Sequence, residues 1–154
     1  MVSPADRSDV PGVIVLIGRV YAEYCFVFDA AVELPDLFAF ERHYAPPQGA
    51  FFVARHEGKI VGSVGVERLD GAAAELHRLY LDARFRGRGT GRALVQEVLA
   101  WCRTQAVTRL VLWSDTRFEA AHRLYARMHF RQTGERTLPD DVNHTREYGF
   151  ERSV

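Results

Sequence analysis

The sequence lacks the features that would assign it to a membrane, a nucleic acid or the secretory route. Lys and Arg together number 20, as do Asp and Glu, so no net charge attracts a polyanion. The apolar stretch Val13–Val20 is too short to cross a bilayer. The N-terminal segment carries Asp6 and Asp9 in place of the basic region of a secretory signal. We therefore expect a cytoplasmic protein with no nucleic-acid or membrane partner.

Cysteine is also scarce. The two cysteines, Cys25 and Cys102, lie far apart with no C-x-x-C spacing and no neighbouring group of histidines. This pattern excludes a disulfide framework and the common zinc sites. We expect two buried free thiols and no bound metal.

What the sequence does have is the composition of a globular domain, with 47% hydrophobic and 26% charged residues. Its length suits one hydrophobic core, so we expect a single domain over residues 1–154. Apolar spacing predicts a first helix that starts at Ser8 or Asp9, with Pro11 in its first turn. A second helical segment over residues 30–44 should be divided by Pro35.

From residue 50 onward, short β-rich segments alternate with helical spacing. The predicted strands cover residues 51–55, 60–69, 74–81, 109–113, 130–138 and 147–151, and the predicted helices cover residues 90–106 and 117–128. A turn at residues 56–59 should join the first two of these strands as a hairpin. Hairpins followed by a crossover helix indicate an α+β fold with a mixed sheet.

The segment most informative about chemistry is the glycine-rich turn Arg86-Gly-Arg-Gly-Thr-Gly91 between a predicted strand and a predicted helix. Free backbone N–H groups and the helix dipole make such a turn an anion site, and glycines let a ligand approach the backbone. Arg92 stands where a Rossmann fingerprint and a P-loop would each require another residue, so both are excluded. A glycine-rich helix cap and an arginine stripe that contacts RNA remain open.

The run Ala74–Leu94 is similar to motif A of the GNAT family of N-acetyltransferases, in which Arg or Gln is followed by two residues, Gly, one residue, and Gly or Ala. Arg86, Gly89 and Gly91 fill this signature. The resemblance implies the fold of that family, a mixed, mostly antiparallel sheet of about seven strands flanked by about four helices.

A second stretch, Ala121–Tyr125 followed by Phe130, resembles motif B of the same family. The resemblance extends over the strands from Phe51 onward. Two positions depart from the pattern: Phe118 stands where many members have Asn, and His129 stands where Gly usually precedes Phe.

The resemblance implies that acetyl-CoA is the cofactor, with its pyrophosphate on the backbone amides of the turn. Its pantetheine arm should pair with the edge of the predicted strand 74–81. The pairing should lie in a gap where that strand diverges from the strand that ends at Trp113. The implied cofactor-binding residues are Leu79, Tyr80, Leu81, Arg86, Gly87, Arg88, Gly89, Thr90, Gly91 and Arg92.

Acetyl transfer also requires a base for the amine, since an alkylammonium is only about one part in a thousand neutral at pH 7. In that family the base is commonly a carboxylate on the central strands, so the resemblance makes Glu75 the leading candidate, with Glu67 and His77 behind it. Alternation places Glu75 and His77 on one face of the strand, although a β-bulge, usual in this strand of the family, would change which side chains share a face. Tyr125 matches the family tyrosine that protonates the leaving thiolate. A hydrogen-bonded surface Glu75 and a purely structural Tyr125 are the alternatives.

The tetrahedral intermediate needs a hydrogen-bond donor for its oxyanion, and a backbone N–H near Tyr80 or Leu81 is the expected donor. The sequence defines the acceptor amine less well. Small-molecule and peptide amines both remain open, as does a homodimer. An acidic rim could recognise the acceptor's ammonium, and its candidate residues are Tyr24, Asp29, Glu33 and Asp36. A solvated surface group is the alternative for these residues. A module that binds acyl-CoA without turnover is the main alternative to an enzyme; an RNA-binding module that uses Arg84 and the turn arginines ranks last.

Overall fold

The protein forms one seven-stranded sheet, described over residues 1–154 by a computed structural model. The strands are β1 (Val2–Pro4), β2 (Gly49–His56), β3 (Lys59–Arg68), β4 (Ala73–Leu81), β5 (Arg109–Asp115), β6 (Arg131–Thr137) and β7 (Arg146–Ser153). Their order is β1-β2-β3-β4-β5-β7-β6, and every neighbouring pair is antiparallel except β4 and β5. The predicted α+β class with a mixed, mostly antiparallel sheet is confirmed.

Six α-helices flank the sheet. They are α1 (Val10–Glu23), α2 (Ala30–Glu33), α3 (Pro35–Phe38), α4 (Phe40–Tyr44), α5 (Thr90–Thr104) and α6 (Glu119–Arg127). The predicted segment over residues 30–44 becomes three short helices. Leu34 leaves the helical region at φ −126° because it precedes Pro35, and a further break at Ala39 has no counterpart in the sequence pattern.

The two faces of the sheet bury separate apolar clusters. On one face, Val64 and Val66 of β3 pack with Leu94 and Val98 of α5. On the other face, residues of β2 such as Phe51 pack with α1 and with the short helices that follow it. Because side chains alternate between the two faces along each strand, each face of the sheet packs against its own set of helices.

β4 and β5 are paired only at their start. Their register covers three residue pairs, from Ala73 opposite Arg109 to Glu75 opposite Val111. Beyond Glu75, β4 continues to Leu81 with no strand partner on this side, while β5 continues along β7 to Asp115. The divergence implied by the resemblance is present, and it opens a gap in the middle of the sheet.

Two features differ from the sequence-based expectations. β1 was not predicted, because three residues are too few to show an alternating pattern. Cys25 is exposed and not buried as predicted, since α1 ends at Glu23 and the chain turns at Cys25 with φ +58°, away from the apolar face of the helix. Cys102 is buried as predicted. No helix in the fold is both long and apolar enough to cross a membrane.

Candidate active site

The glycine-rich turn presents a row of free backbone donors. Gly87 and Gly89 adopt left-handed conformations, with φ +73° and +83°, and Gly89 is the N-cap of α5. The first hydrogen bond of that helix runs from the Ala93 N–H to the Gly89 carbonyl. The N–H groups of residues 87–92 donate to no protein acceptor. Together with the helix dipole, they form a site for an anion.

The glycines of the turn serve different purposes. A Cβ added at Gly87 or Gly89 would meet no atom within 4 Å, so these two positions need glycine for their positive φ. A Cβ at Gly91 would lie 3.1 Å from Leu124 Cδ2. Gly91 therefore lets α5 pack closely against α6.

A cavity of about 490 Å³, here named the glycine-turn cavity, lies between this turn, the end of β4 and α6. Eight of the ten predicted cofactor-binding residues line it: Leu79, Tyr80, Leu81, Arg86, Gly87, Gly89, Gly91 and Arg92. Arg88 is directed elsewhere and lies over the ring of Phe85 at 5.4 Å, and Thr90 is also outside the lining. These two residues could contribute to an anion site only through their backbone N–H groups.

A second cavity of about 400 Å³ lies on the other side of the diverging strands and is here named the acidic cavity. It shares Leu79, Tyr80 and Phe118 with the glycine-turn cavity. The two cavities therefore meet at the gap between β4 and β5, as expected for a site at which two substrates react.

Tyr125 of α6 lines the acidic cavity at this meeting point. Its side chain is buried, with 3% of the residue exposed, yet its hydroxyl makes no hydrogen bond within the protein. Burial, followed by the nearby Tyr80, raises the pKa of Tyr125 above its ordinary value, so the phenol keeps its proton. An unpartnered proton donor thus faces the cavity.

A β-bulge in β4 determines which side chains enter the acidic cavity. Ser63 is opposite Tyr80 and Gly65 is opposite His77, so β4 contains one extra residue in this interval. Arg78 occupies the bulge with φ +55°. As a result His77 and Arg78, although consecutive, both line the acidic cavity.

Glu75, the leading candidate base, lines the same cavity with a quarter of its side chain exposed. His77 Nε2 lies 3.4 Å from its carboxylate. Burial raises the pKa of Glu75, but the hydrogen bond and the charge of His77 lower it, and the lowering effects together outweigh burial. The pKa of Glu75 therefore lies below its ordinary value. Glu75 is therefore ionised at neutral pH.

The other side of the His77 ring faces Tyr44 and Glu67. Its Nδ1 lies 3.3 Å from the Tyr44 hydroxyl and 3.8 Å from Glu67. Glu67 also lies 3.0 Å from His43 Nδ1 and accepts a hydrogen bond from Gln48 Nε2 at 3.0 Å. His43 and Gln48 had no recognisable signal in the sequence, because only tertiary packing brings the α4 region beside β3.

Asp36 has a structural partner that the acidic-rim prediction did not anticipate. Its carboxylate accepts hydrogen bonds from Arg78, the nearest at 2.6 Å, and from the Tyr44 hydroxyl at 2.5 Å. Although burial raises the pKa of Asp36, the bonds and charge of Arg78 hold it below the ordinary value. This ion pair holds the bulge against α3.

The remaining acidic-rim candidates are dispersed. Glu33 lines the acidic cavity and accepts a hydrogen bond from the Tyr21 hydroxyl at 3.3 Å. Asp29 caps α2 through the Ala31 N–H, and Tyr24 lines the glycine-turn cavity. Only Glu33 is thus free to act as a recognition carboxylate.

The two departures from the family pattern have clear structural outcomes. His129 adopts the left-handed conformation, φ +67°, so a non-glycine residue keeps the turn after α6. Phe118 packs against Tyr24 at 4.9 Å and Tyr80 at 6.2 Å between ring centroids. An aromatic ring therefore stands at the boundary of the two cavities.

Comparison with known proteins gives one consistent family. Residues 17–130 match the model of the Acetyltransferase (GNAT) family. An uncharacterized N-acetyltransferase of Mycobacterium tuberculosis is 32% identical over 115 residues, which cover 75% of this chain and 74% of the relative. The N-acetylaspartate synthetase of Danio rerio is 36% identical over 109 residues, 68% of this chain but 39% of that longer protein.

Solved structures agree on the fold. A GNAT-family acetyltransferase from Staphylococcus aureus superposes with a TM-score of 0.87 at 24% identity, covering 99% of this chain and 98% of that one. The ribosomal-protein-S18-alanine N-acetyltransferase of Escherichia coli superposes with a TM-score of 0.77 at 18% identity, covering 100% and 93%.

Proposed function

The chain belongs to the acetyltransferase (GNAT) family, and from this premise we propose that it transfers the acetyl group of acetyl-CoA directly to a primary amine held in the acidic cavity. The observation that supports this most strongly is the meeting of the two cavities at the gap between β4 and β5. The relatives named above are N-acetyltransferases, and nothing in them favours an acyl-CoA sensor without turnover.

The glycine-turn cavity fits coenzyme A. The free N–H groups of residues 87–92 suit a pyrophosphate, and Arg92 adds positive charge. Asp82 donates its N–H to Val61 of β3, so strand alternation turns the peptide groups of Leu79 and Leu81 towards the open edge. This edge can pair with a pantetheine arm as an added strand would.

When bound, acetyl-CoA supplies the thioester carbon that the amine attacks and the thiolate that leaves. Glu75 accepts the proton that the amine nitrogen loses, since its carboxylate is ionised at neutral pH. Tyr125 gives its phenolic proton to the departing sulfur and regains one from solvent. An N–H on the open edge, that of Leu81 or Leu79, stabilises the negative charge on the carbonyl oxygen.

The names of the relatives suggest two acceptor classes, an amino acid for the Danio rerio protein and an alanine of a ribosomal protein for the Escherichia coli protein. Their common requirement is a neutral primary amine at the gap. The acidic cavity supplies carboxylates for this purpose on β3 and β4.

The proposal is tested by measuring melting temperature and coenzyme A release. Acetyl-CoA at a hundred times its dissociation constant should stabilise the protein by about 2.7 kcal/mol, whereas NAD and ATP should do much less. Release of coenzyme A should then depend on added amine. Equal stabilisation by all three nucleotides would indicate a general phosphate site and would refute the assignment.

A further inference from the structure

The acidic cavity contains more negative than positive charge. Seven of the residues that line it are Asp or Glu, and two are Arg. Both arginines are already paired: Arg78 binds Asp36 at 2.6 Å, and Arg136 binds Glu147 at 2.7 Å. The charge of each guanidinium is thus already compensated by a carboxylate of the cavity wall.

Four of the seven carboxylates have no Arg or Lys partner within ion-pair distance. Glu67 and Glu75 lie on either side of His77, close to the point where the strands diverge. Glu33 lies on α2, and Asp141 lies in the loop between β6 and β7. The carboxylates without an Arg or Lys partner thus come from two different parts of the cavity wall.

The second pair consists of Glu33 and of Asp141, whose carboxylate accepts hydrogen bonds from Asn143 and Thr145. Burial, followed by the charge of Asp141, raises the pKa of Glu33 above its ordinary value. The only hydrogen-bond donor to the Glu33 carboxylate is the Tyr21 hydroxyl. A cation placed beside Glu33 and Asp141 would remove this repulsion.

Other groups on the wall also suit an ammonium ligand. Tyr125, a buried residue whose hydroxyl has no hydrogen-bond partner in the protein, lines the cavity and marks the end at which the acetyl group arrives. Aromatic rings, among them Tyr21, Phe26 and Trp113, line the wall and can contact an alkyl chain or a cation. The cavity therefore combines carboxylates, aromatic surface and one proton donor.

We propose that the acceptor is a small diamine or polyamine, whose attacking nitrogen lies between Glu75 and Tyr125 and whose second ammonium lies beside Glu33 and Asp141. This inference rests on the proposed acetyl transfer and specifies its substrate class. An amino acid would fit less well, because its carboxylate would lie among carboxylates that have no Arg or Lys partner and beside arginines that already bind Asp36 and Glu147.

Three amines of equal chain length test the proposal: 1,4-diaminobutane, n-butylamine and 4-aminobutyrate. With saturating acetyl-CoA, coenzyme A release should show a kcat/KM for the diamine at least about tenfold above n-butylamine and about a hundredfold above 4-aminobutyrate. Aspartate, as an amino acid with two carboxylates, should be as poor as 4-aminobutyrate.

Glu33→Gln provides the site-specific test, since the amide can still accept the Tyr21 hydrogen bond while the charge is lost. We expect the diamine to butylamine ratio to fall below about threefold. Glu97→Gln, the same change on the exposed face of α5, should keep the wild-type ratio. Melting temperatures of both variants establish that each is folded.

The outcomes separate this inference from acetyl transfer itself. Equal or better use of n-butylamine, 4-aminobutyrate or aspartate would overturn the diamine class and leave acetyl transfer intact. A wild-type ratio in folded Glu33→Gln would overturn the placement of the second ammonium. Transfer to none of these amines would overturn the inference, and it would count against the proposed function only if acetyl-CoA also failed to stabilise the protein.

Discussion

The guanidinium of Arg86, at the start of the glycine-rich turn, forms a two-pronged ion pair with the carboxylate of Glu23, at the end of α1. The same guanidinium donates a hydrogen bond to the Leu81 carbonyl at 2.8 Å. Arg86 therefore ties the end of β4 to α1, and its positive charge is compensated by an acid next to the proposed pyrophosphate site.

Neutralising Glu23 should strengthen coenzyme binding. Glu23→Gln removes a negative charge near the phosphates, and we expect the dissociation constant of acetyl-CoA to fall about threefold at low salt, with the difference shrinking as salt is added. Isothermal titration calorimetry at two salt concentrations measures this effect, and Glu41→Gln, at an exposed position, is the control. Weaker binding by Glu23→Gln would mean that the pair mainly holds the turn in shape.

A matched pair of glycines isolates the role of the turn in binding. Gly89 and Gly58 both have positive φ, +83° and +77°, and a Cβ at either would meet no atom within 4 Å. Replacement by Ala should cost each protein about 1 kcal/mol through the left-handed conformation. Only Gly89→Ala should also lose most of the rise in melting temperature caused by acetyl-CoA. An equal loss in Gly58→Ala would show that the effect arises from stability alone.

The parts of the site that could be predicted are those that a short stretch of sequence determines. The turn of residues 86–91 contains its own conformational requirements, since Gly87 and Gly89 have the positive φ that glycine permits. The spacing of apolar residues after it predicts α5, and the motif around Tyr125 predicts its position facing the gap. The turn, α5 and the position of Tyr125 are each determined by residues that are close together in the sequence.

The rest of the site depends on contacts between distant elements. Arg78 has a positive φ that its residue type does not suggest, and the bulge is visible only in the register of β3 and β4. His43 and Gln48 reach Glu67 from a helical region whose position is fixed by packing. Asp36 was one candidate for an acidic rim, and in the fold it instead holds Arg78.

His129 gives a stability test of the turn after α6. It is exposed and has φ +67°, a conformation that glycine adopts without steric cost. Relief of the left-handed strain, about 1–2 kcal/mol, is partly offset because glycine has more entropy in the unfolded chain, so we expect His129→Gly to stabilise the protein by about 0.5–1 kcal/mol, or about 2–4 °C in melting temperature. His129→Ala should not stabilise, since it keeps the Cβ. A gain in both variants would mean that the imidazole itself is unfavourable.

Tyr125→Phe should separate chemistry from binding. The ring still packs between Phe130 and Phe150, and the lost hydroxyl has no hydrogen-bond partner in the protein, so stability should change little. We expect kcat to fall about 10²–10³-fold, with acetyl-CoA affinity within about twofold of wild type. Tyr148→Phe, on β7 and outside both cavities, is the control. Reduced stability with unchanged turnover per folded molecule would make Tyr125 a packing residue.

The identity of the base can be tested through the pH dependence of kcat/KM. Glu75 accepts a proton only when ionised, so activity that depends on it is retained above its pKa and lost as the pH falls through that value. Burial raises the pKa of Glu75, but the lowering effects, of which that of His77 is the largest, outweigh it. The fall of kcat/KM on the acid side of the pH profile, the acid limb, should therefore have an apparent pKa below the ordinary range of a glutamate. His77→Gln removes the imidazole's charge while burial persists, so the limb should move to higher pH.

Measuring wild type and His77→Gln with the same amine removes the contribution of the amine's own ionisation from the comparison. Glu75→Gln should lower kcat about 10²-fold or more and remove the part of the acid limb that is due to Glu75, so that only the ionisation of the amine remains. If the limb stays in place in His77→Gln and persists in Glu75→Gln, the titrating base is another group. Glu67, at 3.8 Å from the other side of the same ring, would then be the next residue to replace.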